Sequence, residues 1–299
     1  MLFDLLPGEH LPARLARESV HFLETRPSDR PFLLFLSFYS VHTPLQGRKD
    51  LVAKYKNRAL QLGAQEPLYI EEHGHKVRQT QNHPVYGAMV EAMDEAVGDV
   101  LDALDRLGLA DSTAVFLTSD NGGLSTIGEG APTSNVPLRA GKGWLYEGGI
   151  RVPLIAKWPG VTVPGSVCSV PVISPDFYPT LLEMAGLHPA SGQILDGTSL
   201  VPLLRGDLSA PPRPLYWHYP HYGNQGAFPG GAIRLGDYKL IEFFEDGHQE
   251  LYNLRDDLGE TRDLRAEEPE RAAEMAHLLH AWQKETGARF PTPNPNAGK

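Results

Sequence analysis

Residues 31–40 read PFLLFLSFYS, a nearly unbroken apolar run of strand length. A run with so little alternation is the mark of a strand covered on both faces, as in a largely parallel sheet. Further on, Met89, Met93, Val97, Val100, Leu104 and Leu107 recur at helical spacing over residues 86–107, and Gly108 closes the stripe. Residues 113–119 (TAVFLTS) then read as a second buried strand. Strand, helix and strand compose a βαβ unit spanning His42 to Asn121, so the expected class is α/β, a largely parallel sheet flanked by helices. Both strands end on polar residues, His42-Thr43-Pro44 and Asp120-Asn121-Gly122-Gly123. Carboxyl ends of parallel strands are where such folds place ligands.

The rest of the chain is organised around this unit. Leu11, Leu15, Phe22 and Leu23 have near-helical spacing over residues 9–26, as in a chain that begins inside a fold. Residues 47–84 are polar with weak periodicity and read as a surface excursion with one short helix. A strand is expected over residues 152–158 and a helix over 175–187, with a proline in its first turn. The pattern then changes. Gly236-Asp237 and Asp246-Gly247 punctuate residues 232–254 as turns of antiparallel hairpins, and residues 268–285 carry Ala272, Met275, Leu279 and Trp282 on one helical face. The expected division is residues 1–213, a sheet-and-helix portion, and residues 214–299, a small C-terminal α+β subdomain with antiparallel hairpins.

Composition narrows the partners. The formal net charge is -10 with no basic block, which argues against nucleic acid or anionic lipid. A local cluster of cations can still bind an anion, because a nearby field outweighs screened distant charge. No apolar run is long enough to span a membrane. One cysteine, Cys168, allows no intrachain disulfide and reads as a small buried residue. The first residues lack the pattern of a signal peptide, so no compartment is written there.

Three segments carry chemistry. Ser119-Asp120-Asn121-Gly122-Gly123 sets a carboxylate beside an amide oxygen, the donors a hard cation such as Ca²⁺ or Mg²⁺ prefers, although Asp-Asn-Gly is equally ordinary turn chemistry. His42 suits an anion contact or general acid and equally a loop histidine with satisfied hydrogen bonds. Residues 135–153 combine four glycines with Arg139, Lys142 and Arg151 ahead of a strand. Small residues let backbone and cation approach an oxyanion there. His218 and His221, among aromatics at residues 217–225, suit either a pocket for a polar ligand or packing.

In combination and order these blocks resemble the sulfatase family, the formylglycine-dependent sulfate-ester hydrolases of the alkaline phosphatase superfamily. The resemblance runs through the apolar run into His42-Thr43-Pro44, Ser119-Asp120-Asn121-Gly122, Gly141-Lys142-Gly143 and Glu147-Gly148-Gly149-Ile150-Arg151-Val152-Pro153. It continues in Asp176-Phe177-Tyr178-Pro179-Thr180, Asp196-Gly197-Thr198-Ser199-Leu200, Arg234 to Leu240 and Glu250 to Leu254. It implies an alkaline-phosphatase-like fold and Ca²⁺-dependent hydrolysis of sulfate monoesters. Asp120 and Asn121 are then metal ligands, His42 contacts sulfate and protonates the leaving oxygen, and Lys142 is its cationic partner. From their residue types alone, Arg139, Arg151, His218 and His221 are candidate substrate contacts.

The family also carries an N-terminal Asp-Asp pair, a Cys/Ser-x-Pro-x-Arg motif that yields formylglycine, and a Lys-x-His stretch. The expectation is that this chain carries none of them, and Cys168-Ser169-Val170-Pro171 lacks the arginine and lies on the wrong side of the other landmarks. The expectation is a truncated sulfatase, with formylglycine belonging to a missing N-terminal segment, inactive as an isolated chain. A phosphoester or phosphonate hydrolase of the same superfamily, or a non-catalytic complementing fragment, are the alternatives. The implied substrate is a sulfated small molecule or glycan, and related sulfatases are often exported, periplasmic or lysosomal.

Overall fold

Helices α1 (Leu11–Thr25), α2 (Lys49–Leu62) and α3 (Pro84–Arg106) build one of two compact units in the computed structural model, which describes residues 9–63, 65–209, 211–292 and 294. This unit gathers the described residues up to Pro67 with Thr80–Val115 and Lys157–Pro159. The stripe on α3 does what its spacing requires. Ala103 and Leu104 pack on Leu23 of α1 with Val100 and Leu107, while Ala88 and Ala92 receive Leu51, Val52 and Tyr55 of α2. Alanines at these positions let the helices approach closely, and a Cβ on Gly87 would stand 2.7 Å from the Tyr55 ring. Leu23 is wholly buried, so Leu23→Ala is expected to cost about 2–5 kcal/mol. Pro84 at the first turn starts α3, and Gly108 ends it at φ +67.

Residues 31–40 depart from expectation. They form no ladder among the described residues, and burial alternates along them. Phe32, Leu34, Leu36 and Phe38 are half-buried, whereas Leu33, Phe35 and Tyr39 are 71%, 89% and 72% exposed. Near-continuous apolarity predicts cover on both faces. One face has no covering element among the described residues.

The second unit takes in Leu68–Gln79, Phe116–Ala156 and the described residues from Gly160 onward. It opens with an antiparallel hairpin that the sequence reading missed, β1 (Tyr69–Glu72) and β2 (His75–Arg78). His73 and Gly74 form its two-residue turn at φ +47 and +77, the type I′ geometry that suits strand twist. The strands expected over residues 113–119 and 152–158 appear as β3 (Val115–Thr118) and β4 (Leu154–Lys157), hydrogen-bonded to each other. Glu147–Ile150 forms the short helix α4, and the helix expected over residues 175–187 is α5 (Phe177–Met184), followed by α6 (Val201–Leu204).

The hairpin region is a four-stranded antiparallel meander: β5 (Leu215–Tyr219), β6 (Gly230–Leu235), β7 (Tyr238–Phe243) and β8 (Gln249–Asn253). Leu235 pairs with Tyr238 across the Gly236-Asp237 turn, as its residues dictate. Helix α7 (Pro269–Glu285) covers one face, setting Ala272, Met275 and Leu279 against Ile233, Leu240 and Leu251. Trp282 stacks on Tyr216 at 4.8 Å between ring centres. The opposite face buries Ala232, Ile241, Phe243 and Tyr252 with Trp144 and Tyr146, so the glycine-rich loop is anchored to the sheet by two aromatic side chains. Cys168, expected to be buried, is exposed; it lies in a loop between β4 and α5 that offers no core to enter. No described helix is long and apolar enough to cross a membrane.

Candidate metal and oxyanion site

Two loops of the second unit meet through glycines. Gly122 N–H donates to Gly149 O at 3.0 Å, and Lys142 N–H donates to Gly123 O at 3.0 Å. A Cβ on Gly122 would sit 1.8 Å from Gly148 O, and one on Gly141 2.4 Å from Gly123 O. Only glycine allows these main chains to touch. Asn135 locks the junction: its Oδ1 accepts from Gly123 N at 2.9 Å, and its Nδ2 donates to Gly123 O at 2.8 Å and Ala140 O at 2.9 Å. The loop that follows Asp120 and Asn121 and the loop that carries Lys142 are therefore joined main chain to main chain.

The functional atoms of these residues are left available. Asp120 Oδ1 accepts from Asn121 N at 2.9 Å, and Asn121 Nδ2 donates to Gly122 O at 3.0 Å. No hydrogen bond or ion pair among the described residues engages Asp120 Oδ2, Asn121 Oδ1 or the Lys142 ammonium. An exposed carboxylate oxygen and an amide oxygen with no competing cation fit a hard divalent ion as two members of its shell. They are not a complete set, since no group of three or more His, Cys, Asp or Glu is placed for a metal among the described residues.

His42 belongs to the first unit, where its Nδ1 lies 2.7 Å from Thr43 O and its ring meets Tyr39 edge-on. Nε2 has no partner among the described residues, which suits a group that exchanges a proton at that atom. Arg139 is placed otherwise than a substrate contact requires. Its Nε and Nη2 donate to Glu72 at 3.0 and 2.6 Å, and Nη1 donates to Tyr252 Oη at 2.9 Å and Glu260 O at 2.8 Å. Its guanidinium also lies 3.9 Å over the Tyr146 ring. Burial is the largest single influence and opposes the charge on Arg139, but the Glu72 hydrogen bonds together with the nearby Tyr146, Tyr252 and Glu72 hold its pKa above the ordinary value. With these donors spent, Arg139 ties β1 to β8 rather than facing an anion. His218 is likewise a packing residue, bonded through Nε2 to Arg289 O at 2.8 Å and set among Phe244 and Phe290. His221 is exposed against the edge of Tyr219, and Arg151 is exposed, 3.6 Å from Glu147.

The sequence reading also missed the charge cluster beneath the loop. Lys239, fully buried on β7, lies 2.6 Å from Glu260 and 3.0 Å from Glu147, and Glu260 Oε2 accepts from Glu147 N at 2.6 Å. Arg234 stands 3.5 Å from Glu147. Burial raises the pKa of Glu260 while Lys239 opposes the rise. Next to the cluster, Tyr146 and Tyr252 both donate to Glu250 Oε2, at 2.7 and 2.9 Å. Burial pushes both phenols well above the ordinary tyrosine value, with the Glu250 charge adding to the shift and Arg139 opposing it. Alternating strand positions that look apolar by neighbourhood but carry Lys239 were the available signal.

One further string matters. Ser209-Ala210-Pro211-Pro212-Arg213 carries the letters of the Ser-x-Pro-x-Arg motif, contrary to a reading of the chain as free of them. Its Arg213 is spent on the wholly buried Asp176, which also accepts from Ile173 N and Thr198 N at 2.8 Å each, and Ser209 Oγ donates to Asp207. The string is a structural link to the Asp176 cap, far along the chain from Asp120 and Lys142.

A strand-end carboxylate and amide on one loop thus meet, through glycine main chain, the loop that carries a lysine with no partner among the described residues. Residues 3–187 match the sulfatase family model, and residues 140–286 match the model of the N-sulphoglucosamine sulphohydrolase C-terminal region. The chain belongs to the sulfatase family. It is 38% identical to a sulfatase of Formosa agariphila over 93% of its own length and 51% of the relative's. It is 40% identical to the steryl-sulfatase of Rattus norvegicus over 70% of this chain and 32% of that one. Among solved structures, Ps i-CgsB in complex with k-i-k-neocarrahexaose matches at 28% identity and a TM-score of 0.75, over 92% of this chain and 55% of that chain. BT4656, solved with its substrate D-glucosamine-2-N,6-O-disulfate, shares the fold at 20% identity and a TM-score of 0.75, over 97% of this chain and 72% of that chain. The chain thus spans about half the length of the Formosa relative and about a third of the steryl-sulfatase.

Proposed function

We propose that this chain supplies the metal-and-oxyanion half of a site that hydrolyses sulfate monoesters. The observation that carries the reading is the glycine-locked junction that sets Asp120 and Asn121, with free oxygens, against the loop of the unpaired Lys142. Asp120 Oδ2 and Asn121 Oδ1 would hold Ca²⁺, which when bound neutralises charge on sulfate oxygens. Lys142 places a positive charge toward the non-bridging oxygens, where negative charge concentrates in sulfuryl transfer. The family resemblance gives His42 the role of protonating the leaving oxygen, and its Nε2 has no partner among the described residues. The nucleophile, in this reading a formylglycine, lies on chain outside these residues, so the isolated chain is expected to bind and not to turn over. Sugar sulfates are the proposed substrates, in line with the glycans named in the solved structures of Ps i-CgsB and BT4656.

The test is to join to this chain the part of the Formosa relative that falls outside the match, and to assay aryl sulfate and aryl phosphate side by side. The expected result is Ca²⁺-dependent sulfate release that Lys142→Ala removes. Preference for phosphate would replace this reading with a phosphoester hydrolase, and turnover by the unjoined chain would remove the assumption of an external nucleophile.

A further inference from the structure

Immediately after Lys142 the chain turns at Gly143, φ +88, and the side chain of Gln225 lies directly over that glycine. A Cβ there would come within 3.2 Å of both Gln225 Cβ and Oε1. The backbone of Gln225 is fixed from two further directions. Trp144 Nε1 donates to Gln225 O at 2.7 Å, and Gly226 N–H donates to Gly223 O at 3.0 Å, closing a tight turn around it. Gly226 sits at φ +83 where a Cβ would meet the His75 ring at 2.7 Å, so the turn is wedged against β2. Yet the half-buried Gln225 amide has no hydrogen-bond partner among the described residues. Both functions of this amide reach solvent and can exchange water for a polar ligand. The segment beside it exposes His221, Tyr222 and Asn224, a mixed polar and aromatic surface of the kind that suits a sugar ring.

We propose that Gln225, flanked by Asn224, is a specificity-determining residue that hydrogen-bonds a hydroxyl of a polyhydroxylated ring whose sulfate lies at Lys142; this rests on the sulfate-ester reading above. A carboxamide both donates and accepts, so it pairs with the hydroxyls of a sugar and gains nothing from an aryl or sterol skeleton.

The experiment uses the 299-residue chain with Ca²⁺ and measures affinity for three probes, glucosamine 6-sulfate, 4-nitrophenyl sulfate and inorganic sulfate, by NMR titration. One neutral hydrogen bond corresponds to a preference of about fivefold for the sugar sulfate over the aryl sulfate. Gln225→Leu is expected to erase that preference and leave inorganic sulfate unchanged, whereas Lys142→Ala weakens all three. A Gln225→Leu variant that keeps the sugar preference, or that weakens all three probes alike, overturns the proposal. If Lys142→Ala changes nothing while Gln225→Leu still lowers sugar binding, the sulfate reading fails and the hydroxyl contact stands. Absence of binding to all three probes removes both.

Discussion

Replacing Lys239 by methionine keeps the aliphatic stem packed and deletes only the ammonium from the buried cluster. Two carboxylates, Glu147 and Glu260, then face each other with the cation that stood 3.0 and 2.6 Å away removed. Breaking a buried ion pair by removing one partner costs about 3–5 kcal/mol, because the remaining charge is left uncompensated. Here Arg234 and Arg151 remain 3.5 and 3.6 Å from Glu147, which places the expected loss near the lower end, about 3 kcal/mol. Equilibrium urea unfolding followed by tryptophan fluorescence reports on the right unit, since Trp144, Trp217 and Trp282 all lie within it. The pH dependence has a definite sign. The pKa of Glu260 is raised in the folded state by burial, against the pull of Lys239, so its contribution is present at low pH and is lost as pH rises through the raised value. Deleting Lys239 raises that value further, and the deficit of the variant should therefore be smaller at mildly acidic pH than at neutral pH. Adding Glu260→Gln to Lys239→Met should recover part of the loss. A neutral-pH deficit under about 1 kcal/mol, or a double variant no more stable than the single one, would refute a buried-charge role.

Other expectations follow from the same geometry. Gly122→Ala drives a Cβ to 1.8 Å from Gly148 O and should cost about 3 kcal/mol in a denaturation midpoint, the upper end for overpacking. Gly130→Ala, whose nearest neighbour would be Ile127 at 3.6 Å, serves as the near-neutral control. In alkaline titration, Tyr146 and Tyr252 should resist phenolate formation until the fold opens, since their raised folded pKa values give stability that is whole below about pH 10 and lost above it. Reversible ionisation of all 11 tyrosines in the folded chain would contradict that.

Elements with one dominant local cause were legible from sequence. The stripe of α3, the Gly236-Asp237 turn and the amphipathic α7 each follow from periodicity or turn chemistry within a short window. The β1–β2 hairpin escaped because His73 occupies a left-handed turn position usually signalled by Asn or Gly. Residues 31–40 escaped for a different reason. Apolarity at every position states that a strand can be covered, while coverage itself depends on other chain. At the site, the donor types of Asp120, Asn121 and Lys142 were readable, and the main-chain joining of their loops was not, because it depends on a contact between Gly122 and Gly148. Arg139 illustrates the converse. Its type suits an oxyanion, and only its four donor bonds to Glu72, Tyr252 and Glu260 reveal a packing role.

The half-site reading stands or falls on the oxygen pair of Asp120 and Asn121. Ca²⁺ titration of the 299-residue chain, followed by backbone amide shifts, should move Asp120 to Gly123 and, through the Gly122–Gly149 hydrogen bond, Gly148 and Gly149, with all of these movements absent in Asp120→Ala. Shifts that leave this junction untouched, or that persist unchanged in the variant, would contradict it.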